Sequence, residues 1–345
     1  RRILSKIEEL ANKEPTKFLT FWESFGVVLK EGVARDFEHR EQVSKLLRFF
    51  SSFSERLAAD ADTPEAVAAP AEAEVAAADD DSGSGDSGSG DSGDDDSGSD
   101  DAATTTPQES RRTTETEGLV ALQDYLDRMK EDQDVIYYVG GDNRQQVEQS
   151  PLMEPFRKHD LEVLYLTDPV DEWVVNSLHD FDGKQFQAID AEDLELPEEV
   201  KLEGAETGQD KERTIELVSY LKTELASRVG EVKESSRLSD SPCALVVPKG
   251  GLSQQMERLM RMSDENFPLT KRTLELNPRH AAIRNMGELL KADRDSAELK
   301  EWSHFLVDYV LLAEGKVEAP QRVMAQIQKM MGIASEAELT ARDKQ

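Results

Sequence analysis

The sequence predicts a mixed fold of the α/β and α+β classes. A helical segment comes first, then a small αβα unit on a parallel sheet, then an α+β unit closing in two helices. Three observations carry that expectation. Strand-like runs at Val135–Val139, Leu161–Leu166 and Gln185–Ile189 alternate with helical patterns, as in a parallel sheet covered by helices. Ahead of them, through residue 56, apolar side chains recur at helical spacing. Beyond them, apolar stripes at Ala297–Ala313 and Gln321–Met331 predict two closing helices.

In chain order, Ile3, Leu4, Ile7 and Leu10 share one helical face. Phe18, Phe21, Trp22, Phe25 and Val28 repeat the pattern, and Val43, Leu46, Leu47 and Phe50 give a third helix. Gly32 is expected to stop the second. Residues 58–117 then carry 18 acidic residues against two arginines and almost no large apolar side chains. They cannot bury enough surface to offset the entropy of ordering, so an acidic disordered insertion is expected. Asp recurs with Gly there, but without the ligand spacing of a calcium loop. From 118 to 203 a helix face (Leu122, Tyr125, Leu126, Met129) leads into the alternating unit, and 204–211 reads as a linker. Within 212–334, a helix marked by Ile215, Leu217, Val218, Leu221 and Leu225 precedes strands near Val232, Ala244–Val247 and Arg272–Leu276. Asp295 and Glu298 read as a capping box, Pro320 opens the last helix, and 335–345 reads as a flexible tail.

Net charge is −31, and the chain outside 58–117 is still net −15. Phosphate backbones are repelled by such a surface, so no nucleic-acid partner is expected. No apolar run approaches the ~18 residues of a membrane span, so no membrane association is expected. One cysteine, Cys243, excludes an intramolecular disulfide and fits a reducing cytoplasm. It reads as a small buried hydrophobe with no metal-binding neighbours. A start at Arg1-Arg2 without Met reads as a piece of a longer chain.

Val139-Gly140-Gly141-Asp142 follows a strand, where a dinucleotide-binding enzyme places its glycines. Neither GxGxxG nor GxxxxGK[ST] is present, so the glycines are expected to make a tight turn. No acid, base or metal set converges elsewhere, and no catalytic residue, metal or cofactor is expected in this chain. Asp168 is expected to cap the next helix, with Pro169 in its first turn. Val174, Leu178 and Phe181 form its core stripe, with Trp173 at the boundary and Glu172 and Asn176 on the polar side. Periodicity leaves open whether Trp173 anchors a partner or caps the core edge. Leu252, Met256, Leu259 and Met260 form a second stripe, either partner-facing or an ordinary core face. The closing helices carry Leu299, Trp302, Leu306, Tyr309, Val310 and Ala313, then Val323, Met324, Ile327, Met330 and Met331. Two short helices cannot easily cover that much apolar surface; pairing with a second copy would give a four-helix bundle and a homodimer.

IYYVGG, SP..EPFRK, EVLYLTDPVDEW and FDGK, in this order, resemble the middle domain of the heat-shock protein 90 chaperones of the bacterial high-temperature protein G type. FWESFGVVLKEG, DFEHRE and KLLRFFSS resemble the end of that family's large middle subdomain; SPC, LELNP, YVLLAEG and P..V..QI..M resemble its dimerisation domain. The resemblance implies that 1–57 ends the large middle subdomain, 118–203 is the small one and 212–334 dimerises. It further implies an ATP-dependent chaperone of the stress response that holds non-native client proteins. Client contact would involve Glu172, Trp173, Asn176 and the stripe from Leu252 to Met260, although many members carry Trp where Leu252 stands. ATP and Mg would be bound by an N-terminal domain that the sequence given does not contain. The insertion at 58–117 departs from the family's short connection. Two other functions remain: a passive dimeric scaffold, and a nucleotide-dependent enzyme built on the αβα unit.

Overall fold

The computed structural model describes residues 2–53, 118–197, 200, 208–265, 267–317 and 319–342. The expected acidic insertion at 58–117 lies outside the described residues, as do 204–207 of the expected linker. The fold is mixed α/β, with a six-stranded sheet, a three-stranded sheet and helices around both.

Helices α1 (Arg2–Lys13), α2 (Pro15–Arg35) and the short α3 (Arg40–Ser44) come first. Gly32 does not stop α2: buried Val33 draws one more turn into the core, and the Asp36 N–H closes it on the Gly32 carbonyl. The expected third helix is corrected too. It ends at Ser44, and the aromatic run Arg48–Ser51 forms strand β1, as aromatic residues favour. Phe18 and Trp22 are buried, whereas Phe25 and Val28 of the same predicted face are exposed.

The rest of the large sheet comprises β2 (Leu119–Ala121), β3 (Val135–Gly140), β4 (Leu164–Leu166), β5 (Asp180–Phe181) and β6 (Lys184–Ala188), in the order β2-β1-β4-β3-β6-β5. Strand β3 runs parallel to both β4 and β6, and the pairings of β1 and of β5 are antiparallel. Residues 48–51 therefore join the sheet of the αβα unit, and Phe18, Trp22 and Phe49 share one core with Ile136, Leu164 and Val174. Helices α4 (Leu122–Arg128), α5 (Arg144–Glu148), α6 (Glu154–Lys158) and α7 (Asp171–Leu178) complete this unit.

The second unit holds α8 (Gly208–Glu224), β7 (Glu231–Glu234), β8 (Cys243–Val246), α9 (Gln254–Ser263), β9 (Thr273–Leu276), α10 (Ala281–Ala292), α11 (Ala297–Ala313) and α12 (Pro320–Arg342). Residues 208–211 of the expected linker are the first turn of α8, and 335–342 of the expected tail continue α12. Ser296, not Asp295, caps α11: its Oγ accepts the Leu299 N–H at 3.2 Å. The sheet order is β7-β9-β8.

Strand β8 joins the two units. Side chains alternate across a strand, so Cys243 and Leu245 enter the core with α8, α10 and α11 while Ala244 and Val246 pack with Tyr137, Phe156 and Val163. Cys243 is thus a buried apolar residue, and burial pushes its thiol pKa up. Polar bonds fix the same joint. Glu154 accepts the N–H groups of Ser239, Asp240 and Ser241 at 3.0, 3.0 and 2.9 Å. Arg237 forks onto Glu275 at 2.9 and 2.7 Å and donates to the Ile189 and Ala191 carbonyls. Burial alone would raise the Glu275 pKa, but Arg237 more than offsets it and the carboxyl is held low.

Candidate interaction site

Because β3 is parallel to neighbours on both sides, its connections diverge and leave a crevice beyond Gly140, where open α/β sheets commonly bind ligands. Here the start of α9 closes over the crevice and leaves a cavity of about 60 Å³ lined by Gly140, Gly141, Glu172, Asp190, Ser253 and Gln255 among others. Ser253 caps that helix, accepting the Met256 N–H at 3.1 Å, and its hydroxyl donates to the Glu172 carboxylate. Gln255 Nε2 donates to the Gly141 and Leu166 carbonyls at 2.8 and 3.2 Å. Arg258 pairs with Asp142 at 2.8 Å, and buried Glu257 accepts the Thr270 N–H at 2.8 Å.

This explains the two glycines better than turn geometry does. Neither Gly140 nor Gly141 has a positive φ. A Cβ on Gly140 would lie 2.8 Å from Glu172 Oε1 and 3.5 Å from Gln255, and one on Gly141 would overlap Val147. The Gly141 N–H is spent on the Leu166 carbonyl at 3.1 Å, so the turn does not offer the amides a phosphate needs.

Helix α9 therefore meets its own chain through polar groups and turns methionines outward. Met260 is exposed and Met262 is 80% exposed, with Leu269 exposed nearby in sequence. Leu252, Met256 and Leu259 are half-buried, so the predicted stripe lies neither wholly in a core nor wholly in solvent.

On α7, Trp173 is 45% exposed, and Asn176 one turn on is exposed beside it. Glu172 is corrected: it lies buried against Ser253, not on the polar side. Burial pushes its pKa up to about 7, opposed by the Ser253 hydroxyl. Asp168 does not cap α7; with buried Asp171 it holds Lys30, whose Nζ lies 2.7 Å from Asp171 and above the Trp22 and Phe49 rings. Burial pushes Asp171 up to about 6 despite Lys30. The Glu172–Ser253 bond thus brings the two predicted segments, 172–176 and 252–260, side by side.

The closing helices divide the residues expected between two copies. Leu299, Leu306 and Val310 are buried in this chain's own core against the small sheet, which corrects their assignment to an intermolecular face. Trp302 and Tyr309 pack at its margin, Ala313 is half-buried, and Val323 is buried. Asp308 receives both Arg228 and Arg322, at 2.6 and 2.7 Å, and so pins the start of α12. Past that point Met324, Met331, Ile333 and Leu339 are exposed, with Ile327 and Met330 half-buried. Trp302, Phe305, Met330 and Ile333 line a narrow apolar groove between α11 and α12.

A family model described as Hsp90 protein matches residues 1–61 and 109–345. The chain belongs to the Hsp90 family. Among relatives, the chaperone protein HtpG of Geobacter sulfurreducens is 34% identical over 334 residues, 96% of this chain and 42% of that protein. HtpG of Methylococcus capsulatus is 33% identical over 319 residues, covering 91% and 40%. HtpG of Magnetococcus marinus is 32% identical over 337 residues, covering 96% and 42%. The chain spans about two fifths of the length of these curated relatives.

Within this Hsp90 chain, sequence reasoning missed the anchors Ser253, Gln255, Glu257 and Arg258, and the exposed Met262. Met262 stands three residues after Leu259, so extending the stripe one turn finds it. The anchors carry no comparable signal, since polar residues opposite an apolar stripe read as a solvated face. No described helix is long and apolar enough to cross a membrane.

Proposed function

We propose that this chain is the client-holding and self-pairing part of an ATP-driven Hsp90 chaperone that acts in the cytoplasm under stress. One observation supports this reading above the others: α9 docks by Ser253, Gln255, Glu257 and Arg258 and leaves Met260 and Met262 in solvent. Methionine is unbranched and polarizable, so such a face adapts to unrelated apolar segments of non-native proteins. Trp173 and Asn176, on the helix tied to α9 through Glu172, extend the surface.

Self-pairing is proposed through the outer part of α12, with Met324, Ile327, Met330 and Met331 meeting a second copy and Trp302 beside them. Two copies would present two client surfaces, and effective concentration would raise the grip of each pair. The ATP and Mg that the family resemblance implies do not fit the Gly140–Gly141 turn, because Gln255 and Leu166 already occupy its polar groups. No chemical step is assigned to this chain.

The test is suppression of aggregation of a thermally unfolded protein by the 345-residue chain. Trp173→Ala, Met260→Ala and Met262→Ala together should abolish suppression while circular dichroism stays unchanged. Undiminished suppression would refute the surface. A chain that sediments as a dimer yet never slows aggregation would instead support a passive scaffold.

A further inference from the structure

Among the described residues Phe37 is the most exposed aromatic side chain, at 78%, and it belongs to no predicted apolar stripe. It stands in the turn between α2 and α3, and the chain is tied down around it. Asp36 accepts the N–H groups of Glu38 and His39 at 3.0 and 3.2 Å, and its second carboxylate oxygen lies 2.9 Å from His39 Nδ1. The ring rests on the Arg40 guanidinium, which lies 4.3 Å from its centroid. That guanidinium is itself fixed. Its Nε donates to the Val33 carbonyl at 3.0 Å, and its Nη1 donates to the Ser177 carbonyl at 2.7 Å. Ser177 belongs to the last turn of α7, where a cation suits the negative end of the helix dipole. An aromatic ring is thus held in one place, with the guanidinium against one face and the other face open to water.

Ser177 also locates this ring relative to the client surface. Trp173 precedes Ser177 by one turn, so the two share a face of α7 about 6 Å apart along its axis. Arg40 spans the remaining distance from Ser177 to Phe37. The exposed rings of Trp173 and Phe37 therefore flank the last turn of α7, roughly 15 Å apart by helix rise and side-chain reach, and Asn176 is exposed in that turn. We propose that Phe37 is a second aromatic anchor of the client surface. The segments it selects are extended chains carrying two large apolar side chains about four residues apart, since an extended chain advances about 3.3 Å per residue. Asn176 has both a donor and an acceptor to offer a peptide group of the segment between the anchors. A ring already fixed on Arg40 loses little freedom on binding, unlike the flexible methionines of α9. The two parts of the surface then differ in what they select. Helix α9 adapts to any apolar segment, whereas the Trp173–Phe37 pair sets a spacing. This assignment rests on the reading of Trp173 and Asn176 as client contacts.

The experiment measures binding of fluorescein-labelled Gly/Ser peptides to the 345-residue chain by fluorescence anisotropy. One peptide carries two Phe four residues apart, a second carries a single Phe, and a third carries two adjacent Phe. The spaced pair should bind at least about fivefold tighter than either of the others, because the second anchor engages at high effective concentration. Phe37→Ala should remove that advantage and leave the affinity of the single-Phe peptide unchanged, and Phe37→Trp should keep the advantage. Position 37 is exposed, so folding should persist, which circular dichroism checks. An equal loss for all three peptides in Phe37→Ala would mean that the ring only steadies α7, and would overturn the assignment. A spaced-pair advantage that survives Phe37→Ala would overturn it too. If Trp173→Ala weakens every peptide while Phe37→Ala weakens none, the client surface stands and the second anchor fails. If neither substitution has an effect, the reading of α7 as a client contact fails with it.

Discussion

Replacing Glu172 by Gln tests the joint where it is most sensitive. The Glu172 carboxyl is buried, and its pKa rises from 4.5 to about 7. The folded state therefore keeps a proton that the unfolded chain gives up above pH 4.5, and stability falls as pH rises between these values. At 1.36 kcal/mol per unit, the charged form costs about 3 kcal/mol once pH exceeds 7, and nothing below 4.5. Gln cannot ionise but still accepts the Ser253 hydroxyl. E172Q should therefore match the parent at pH 4 and exceed it by up to about 3 kcal/mol at pH 8. Asp171 titrates nearby with a pKa of about 6 and its charge adds to the Glu172 rise, so the pH-dependent difference reports the two coupled carboxyls together. Urea unfolding of both proteins from pH 4 to 8, followed by tryptophan fluorescence, reads the difference directly. A stability difference that stays constant with pH would refute a buried, proton-holding Glu172.

Three further outcomes follow from the same contacts. Gly140→Ala puts a methyl 2.8 Å from Glu172 Oε1; overpacking should cost about 1–3 kcal/mol and speed hydrogen exchange in 254–263, and unchanged exchange would contradict the close approach. Arg237→Ala leaves the buried Glu275 carboxylate only Lys233 at 3.3 Å and the Ser235 hydroxyl at 2.9 Å, with an expected loss of up to about 3–5 kcal/mol in chemical denaturation; a loss below about 1 kcal/mol would mean these two partners and water replace the guanidinium. Met324→Glu with Met331→Glu changes exposed positions, so the fold should persist while sedimentation shifts from dimer to monomer at micromolar concentration; an unshifted dimer would place the interface elsewhere.

Much of the architecture was legible because long apolar periods survive tertiary context. The span Ala297–Ala313 and the strands at 135 and 273 follow from spacing alone. Short elements were not. Val43, Leu46, Leu47 and Phe50 fit a helix by spacing, yet the run at 48–51 became a strand because β2 and β4 pair with it from distant parts of the chain. Which closing-helix residues the chain's own core covers was also hidden. The stripe of α11 is one face in sequence, but the small sheet covers Leu299, Leu306 and Val310 and leaves the margin at Trp302 and Tyr309.

Helix α9 shows why the candidate surface resists reading from sequence. Periodicity identifies an apolar and a polar face, but it does not say which one meets the protein. The usual inference buries the apolar side, because water rejects it. Here the deciding partners lie elsewhere in the chain: the Glu172 carboxyl needs a donor, and the Gly141 and Leu166 carbonyls end the β3–β4 pairing at a crevice. A polar helix face satisfies the Glu172 carboxyl and the Gly141 carbonyl, which an apolar one would leave unbonded at about 1–3 kcal/mol each, and it adds a second donor to the Leu166 carbonyl that already accepts the Gly141 N–H. The methionines are turned outward as a consequence of that need. Substituting Ser253 and Gln255 by Ala should therefore loosen α9 rather than improve its packing.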